Sequence, residues 1–221
     1  VYKHKEKNMK KVADHSFAYK NITISGLPGA GSTTLLAQLK DALKFDKWTG
    51  FSGGEFMRAY AAENNLFDSK LKLHHSSMAY GEEFDRKVDM GIREKLSTEK
   101  RWIIESWLSG FLAQGVKGTL KVLMLCSEES IRIDRIVNRD AVTVDTAKAN
   151  ISKRYNENLK KWSNLYSKEW KKWVVDAGKM SKDDPIDFWS PDLYDVVLDT
   201  YSLNQQQAVD KVLDALKNKK D

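Results

Sequence analysis

The densest chemistry in the chain lies in Ser25-Gly26-Leu27-Pro28-Gly29-Ala30-Gly31-Ser32-Thr33-Thr34. Glycines at 26, 29 and 31 permit backbone conformations that a Cβ would block. A β-rich stretch precedes this run and an apolar-periodic segment, Leu35-Leu36-x-x-Leu39, follows it. Successive N–H groups can therefore curl around an anion at the positive end of a helix. The pattern implies a phosphate cradle, and with it a bound nucleotide. Gly26, Gly29, Ala30, Gly31, Ser32, Thr33 and Thr34 are its candidate contacts. In the strict pattern G-x-x-x-x-G-K-[ST], a lysine reaches the β- and γ-phosphates and a hydroxyl residue meets Mg²⁺. Thr33 holds the hydroxyl position, but Ser32 stands where the lysine would be. That removes a point charge from the place where negative charge develops in phosphoryl transfer.

Other residues suit the same chemistry. Glu105 ends the apolar stretch Trp102-Ile103-Ile104 and is a candidate ligand for Mg²⁺, directly or through water, with helix capping or ion pairing as its other reading. Arg58, Arg135, Arg139 and Arg154 carry forked donors matched to phosphate oxygens. Arg135 and Arg139 are i, i+4 and can close over a donor together, or pair with Asp134 and Asp140. Arg132 reads as a surface ion-pairing residue, and His74-His75 as incidental polar residues. Trp162, Trp170 and Trp173 recur at helical spacing among lysines and read as packing rather than as base platforms.

The elements that must hold these residues alternate. Strands are expected near 20–25, 101–105, 120–126 and 194–199, and helices near 32–45, from 55 towards 97 with breaks at Asn64-Asn65 and Gly81, and at 128–139, 145–175 and 205–216. Residues 176–192, with two prolines and several acids, are expected to be mostly loop. Apolar strands separated by helices imply a parallel sheet covered on both faces, with ligands at the carboxyl ends of its strands.

The 221 residues suit one medium domain, and 41% hydrophobic with 31% charged residues excludes a largely disordered chain. No run approaches the ~18 apolar residues of a membrane span, and no secretory signal is visible, so a cytoplasmic, reducing setting is expected. The lone Cys126 is expected to pack in the core. Starting at Val1, the sequence reads as lacking its native N-terminus. The net charge of +6 is uneven: residues 1–20 carry six lysines against two acids, and residues 145–182 ten Lys/Arg against four. Such segments suit polyphosphate, RNA or a larger assembly, or form solvated helix faces.

With these landmarks in order, the chain resembles the archaeal-type branch of the cytidylate kinase family over roughly residues 20–217. Ser25 to Thr34 looks like that branch's P-loop, where a hydroxyl residue often fills the lysine position. Ser52-Gly53-Gly54-Glu55-Phe56-Met57-Arg58 is similar to the S-x-G-x-x-x-R segment, whose arginine grips the acceptor monophosphate. Asp85-Arg86-Lys87-Val88-Asp89 is similar to its D-R-x-x-D stretch. Ile104-Glu105-Ser106-Trp107-Leu108-Ser109-Gly110 matches a segment reading close to I-E-G-R-L-A-G, with Trp107 in the arginine's place. An indole cannot replace that charge; it can stack on a base or plug the pocket. Arg132, Arg135, Arg139, Arg154 and Lys161 fall at the spacing of basic residues in and after the lid. About 15 residues between Tyr166 and Asp192 look inserted.

The resemblance implies an α/β, three-layer P-loop NTPase fold with a parallel sheet of about five strands flanked by helices. It implies a basic extension over 1–19 and one domain over 20–221, with a monophosphate-binding region near 52–98, a lid near 132–160 and a Lys/Trp-rich insertion near 166–192. Implied acceptor contacts are Ser52, Gly53, Arg58, Asp85, Arg86 and Trp107; implied metal contacts are Thr33 and Glu105. Two readings stand at this stage. One is an ATP- and Mg²⁺-dependent kinase acting on CMP or dCMP. The other is a P-loop nucleotide binder without turnover that docks on RNA or an assembly through 1–20 and 145–182. A kinase with a non-nucleotide acceptor also fits the fold.

Overall fold

The computed structural model describes residues 17–63 and 81–218. The basic extension up to residue 16, the expected break at Asn64-Asn65 and the His74-His75 pair lie outside the described residues. Five strands, β1 (Asn21–Gly26), β2 (Thr49–Ser52), β3 (Trp102–Glu105), β4 (Thr119–Leu125) and β5 (Val196–Asp199), form one sheet in the order β2-β3-β1-β4-β5. Every pairing is parallel. Every residue of β1 is buried, as helix layers on both faces require.

The helices are α1 (Ser32–Ala42), α2 (Gly53–Glu63), α3 (Glu82–Thr98), α4 (Ser109–Leu112), α5 (Glu129–Asp140), α6 (Val144–Leu165), α7 (Ser167–Trp170) and α8 (Gln205–Lys217). On one face, α1 and α8 bury Leu35, Leu39, Val212 and Leu216 against Ile22, Ile103 and Val122. On the other, Ile92 and Leu96 of α3 and Phe111 of α4 pack with Ile104, Leu123, Tyr166 and Trp170. Asn21 stitches this face together: its amide donates to the Leu96 and Glu99 carbonyls at 3.0 Å each and accepts from the Trp102 N–H at 3.0 Å. A satellite cluster of Ile133, Ile136 and Ala147 joins α5 to α6.

Three expectations change. β2 carries too few apolar residues to read as a strand; it is a four-residue edge strand shaped by its pairing with β3. The helical stretch over 145–175 is not one helix: α6 ends at Leu165, and α7 and a π-turn over Lys171–Val175 follow it. Residues 176–192 are mostly loop, as expected, yet Phe188 and Trp189 within them are buried with Tyr166, Trp170 and Val174 against α4, completing the second core. Cys126 lies one residue past β4, half-buried rather than in the core, with its thiol donating to the Glu128 carbonyl at 3.4 Å. Among the described residues, no helix is long and apolar enough to cross a membrane.

Candidate active site

The strand order reverses at β1: the chain leaves it towards β2 on one side and returns through β4 on the other. The crevice at its carboxyl end is therefore where a ligand fits, and Gly26 to Thr34 occupy it. Gly29 and Gly31 take φ values of +84° and +94°, which L side chains rarely adopt. α1 starts at Ser32, so the N–H groups of its first turn have no acceptor within the helix and face the groove. Ala30 departs from the expectation. It is buried, and its N–H donates to the Leu27 carbonyl at 3.1 Å, so it closes the turn instead of facing an anion.

A groove of about 850 Å³ runs over this loop. It brings together Gly29, Gly31, Ser32, Thr33, Thr34, Ser52, Glu105 and all four candidate arginines, Arg58, Arg135, Arg139 and Arg154. Ser32 Oγ donates to Glu105 Oε1 at 3.0 Å and Ser52 Oγ donates to Oε2 at 2.8 Å. The serine in the lysine position is thus bound to the carboxylate across the sheet. Burial raises the Glu105 carboxyl above its ordinary range, while the two serine hydrogen bonds and the charge of Arg58 act against that rise. Thr33, Ser32, Ser52 and Glu105 present only hard oxygen donors, the set Mg²⁺ selects.

The arginines divide. Arg135 does not reach over the groove with Arg139. Its guanidinium donates to the Gly29 carbonyl at 3.1 Å, to Thr200 Oγ1 at 2.7 Å and to the Thr200 carbonyl at 3.0 Å. It ties the phosphate loop to the turn after β5, where Thr200 is the other half of that clamp. Arg139 forms a two-bond pair with Asp140, the ion-pairing alternative of its spacing.

A second, narrower pocket of about 140 Å³ opens off the groove. Gly53, Met57, Asp85, Val88, Asp89, Ile92, Leu108, Asn158 and Trp162 line it. Gly54, Arg58, Ser106, Trp107 and Arg154 line both cavities, so the two meet at a pair of arginines and an indole.

A family model described as an AAA domain matches residues 22–163. A cytidylate kinase of Methanoregula boonei is 34% identical over 148 residues, covering 66% of this chain and 76% of its own. One from Pyrococcus furiosus is 30% identical over 180 residues, with 77% and 82% covered. The chain belongs to the cytidylate kinase family. A more distant member, from Methanosarcina acetivorans, is 27% identical over 190 residues and covers 86% of this chain and 92% of its own. Among solved structures, an uncharacterized protein from Eubacterium ventriosum superposes with a TM-score of 0.55 at 14% identity, covering 90% and 99% of the two chains, which shows a shared fold.

Against the family pattern, Arg86 is the clearest correction. It turns away from both cavities, forms an ion pair with Glu169, donates to the Leu165 carbonyl at 3.4 Å and lies 5.9 Å from the Tyr166 ring centroid. The end of α6 and the turn into α7 supply these partners. Asp85 does reach the narrow pocket, but as half of a buried pair with Lys161 at 2.6 Å. Lys171 pairs with Asp176 at 2.8 Å on the surface. Of the tryptophans, Trp170 packs on Phe111 and Trp173 faces Arg93 at 3.7 Å, whereas Trp162 lines the pocket. Sequence reasoning missed Asn158 and Trp162. Arg154, Asn158, Lys161 and Trp162 stand at i, i+4, i+7 and i+8, a single helix stripe that residue types alone divide between a phosphate-binding arginine and a packing tryptophan.

Asp89, beside the pocket, accepts from the Tyr166 hydroxyl at 2.5 Å. Burial, helped by the nearby Asp85 charge, pushes its carboxyl up to about 7 against the opposing Tyr166 hydrogen bond and Lys161. The native state therefore holds a proton that the unfolded chain, at an ordinary 3.8, has released. Stability from this group is complete below pH 3.8 and is lost as pH rises to about 7. We expect Asp89→Asn, which still accepts from Tyr166, to flatten that slope. At pH 8 it should raise stability by roughly 2 kcal/mol, less than the full shift because pocket water reaches the group, or Tm by about 4–8 °C. Melting curves of both proteins between pH 5 and 8 check this; an unchanged slope refutes it.

Proposed function

We propose that the protein transfers the γ-phosphoryl group of ATP to a nucleoside monophosphate, with CMP or dCMP as the preferred acceptor. One observation carries this reading: a wide groove over a phosphate-binding loop and a narrow pocket meet end to end at Arg58 and Arg154. Phosphoryl transfer needs little more than two aligned substrates, excluded water and neutralised charge. The narrow pocket suits a one-ring base, and the names of the relatives point the same way.

In this reading the first-turn amides of α1 hold the donor phosphates, and Arg58 and Arg154 grip the oxygens where donor and acceptor meet. Thr33 and Glu105 would hold Mg²⁺, which would supply neutralisation of phosphate charge. With Ser32 in the lysine position, cationic stabilisation comes from the arginines. Arg135 keeps the loop and the Thr200 turn at a fixed separation.

A coupled assay with ATP-Mg²⁺ and a panel of monophosphates tests the proposal. The expected result is turnover fastest with CMP or dCMP. ATP binding without turnover of any monophosphate, together with salt-sensitive RNA retention, would overturn it in favour of the non-catalytic reading.

A further inference from the structure

Position 107 is where the similar family segment carries an arginine and this chain carries an indole. The charge has not left that region of space. The Arg154 guanidinium carbon lies 5.0 Å from the Trp107 ring centroid, within the range of a cation–π contact, and both residues line both cavities. α6 delivers this guanidinium one turn before Asn158, on the stripe that forms the pocket wall.

The ring that meets Arg154 is itself fixed. Trp162 meets Trp107 edge-on, with centroids 5.7 Å apart and planes at 72°. Trp189, from the inserted segment, does the same at 5.8 Å and 77°, and its indole N–H donates to the Trp107 carbonyl at 3.0 Å. Tyr155 packs behind Trp189 at 5.5 Å. Edge-to-face aromatic pairs favour one orientation over free sliding, so the indole presents a steady face to the guanidinium. The insertion thereby acquires a use at the site besides filling the core.

We propose that Trp107 is a positioning residue: braced by Trp162 and Trp189, its ring holds the Arg154 guanidinium at the donor–acceptor junction, so that α6 supplies the cation the loop after β3 lacks. This rests on reading the two cavities as donor and acceptor sites. On this account the indole is not a sign of decay, and an arginine restored at 107 would crowd a second guanidinium against the first.

The test has two arms. The first needs no substrate. In ¹⁵N-labelled protein the Arg154 side-chain Nε–H proton, identified by its loss in Arg154→Lys, should be shifted upfield by the Trp107 ring current. Trp107→Phe should keep an upfield shift. Trp107→Met, which keeps an apolar side chain but no ring, should abolish it; should that variant fail to fold, Trp189→Leu, which removes the brace, should reduce it. The second arm is kinetic. Trp107→Met should lower kcat/KM by roughly 10-fold, with Trp107→Phe recovering to within about 3-fold. Trp107→Arg should lower it by at least about 10-fold and Arg154→Leu by about 100-fold, while the double variant should exceed Arg154→Leu alone because one guanidinium again occupies the junction. An unshifted Arg154 proton in the unaltered protein, or a Trp107→Arg enzyme faster than it, overturns the proposal. If the unaltered protein turns over no monophosphate, the kinase reading falls, and the proton shift still decides whether Trp107 holds Arg154.

Discussion

Replacing Glu105 with glutamine is expected to cut turnover by roughly 10³-fold while leaving the fold intact. The side chain is buried at the end of β3, with one oxygen accepting from Ser32 and the other from Ser52. Both partners are hydroxyls, which rotate to donate or accept. An amide therefore keeps both bonds, and the change in stability should stay within about 1 kcal/mol. What the amide cannot keep is the charge. Without it the proposed metal site would lose its one formally anionic member, and Mg²⁺, which sheds its waters reluctantly, would be held too weakly. The carboxyl's raised pKa adds a second signature. In the unaltered protein, Mg²⁺-dependent nucleotide binding should weaken on acidification, beginning above the ordinary carboxylate range, because the proton competes with the metal for the same oxygens. The glutamine variant should show no such pH dependence. Calorimetry of ATP with and without Mg²⁺ from pH 5 to 8, together with kcat at saturating substrate, checks both. Retention of more than about a tenth of the turnover would remove Glu105 from the metal-holding role.

The frame of this site could be read from the chain because its parts are local. A strand, a glycine turn with hydroxyl residues and an apolar-periodic helix lie within 25 residues, and each is visible in residue type and period. The glycine loop and the strand-end Glu105 were visible in that way, and Arg58 and Arg154 through the family resemblance; all of them line the groove. What escaped is non-local. The bond between Ser32 and Glu105 joins residues 73 apart, so no local pattern pairs the serine in the lysine position with that carboxylate. β2 has a glycine and a single phenylalanine among four residues, and it becomes a strand only through the neighbouring β3. Arg86 matched a family motif, yet it pairs with Glu169, 83 residues further on, and lines neither cavity. The prolines and acids at 183–192 signal the loop that is found there, but they mask Phe188 and Trp189, which are 0% and 5% exposed. Residue type reveals what a side chain can do. Which neighbour it does it with depends on the sheet order and on where an extra segment folds back.

Gly29→Ala is expected to be the most damaging single methyl that can be added to the phosphate loop. An alanine there would have to hold φ at +84°, at a cost of about 1–2 kcal/mol. Its Cβ would also lie 2.6 Å from Arg132 Cγ and 2.7 Å from the Arg132 carbonyl oxygen. The carbonyl belongs to α5 and cannot move without the helix. Relief must then come from the loop, whose Gly29 carbonyl is one acceptor of the Arg135 clamp. Moving it breaks that bond and turns the cradle amides away from the position an anion would occupy. Gly31→Ala provides the comparison. It shares the positive φ, at +94°, but a Cβ there meets only Thr200 Cγ2 at 3.8 Å and Met124 Cε at 3.9 Å, ordinary contacts. Both variants should lose stability to backbone strain, Gly31→Ala by about 1–2 kcal/mol and Gly29→Ala by about 3 kcal/mol or more. For a domain of this size the latter is a fall in Tm of roughly 6–12 °C. Nucleotide affinity should follow the same order, with Gly29→Ala weakening ATP binding by at least about 100-fold, since several amides point at the phosphates only when the turn is intact. Thermal melting and ATP titration of the two variants decide the matter. Equal losses at both positions would mean that φ alone governs the turn and that the close approach of α5 has no part in shaping it.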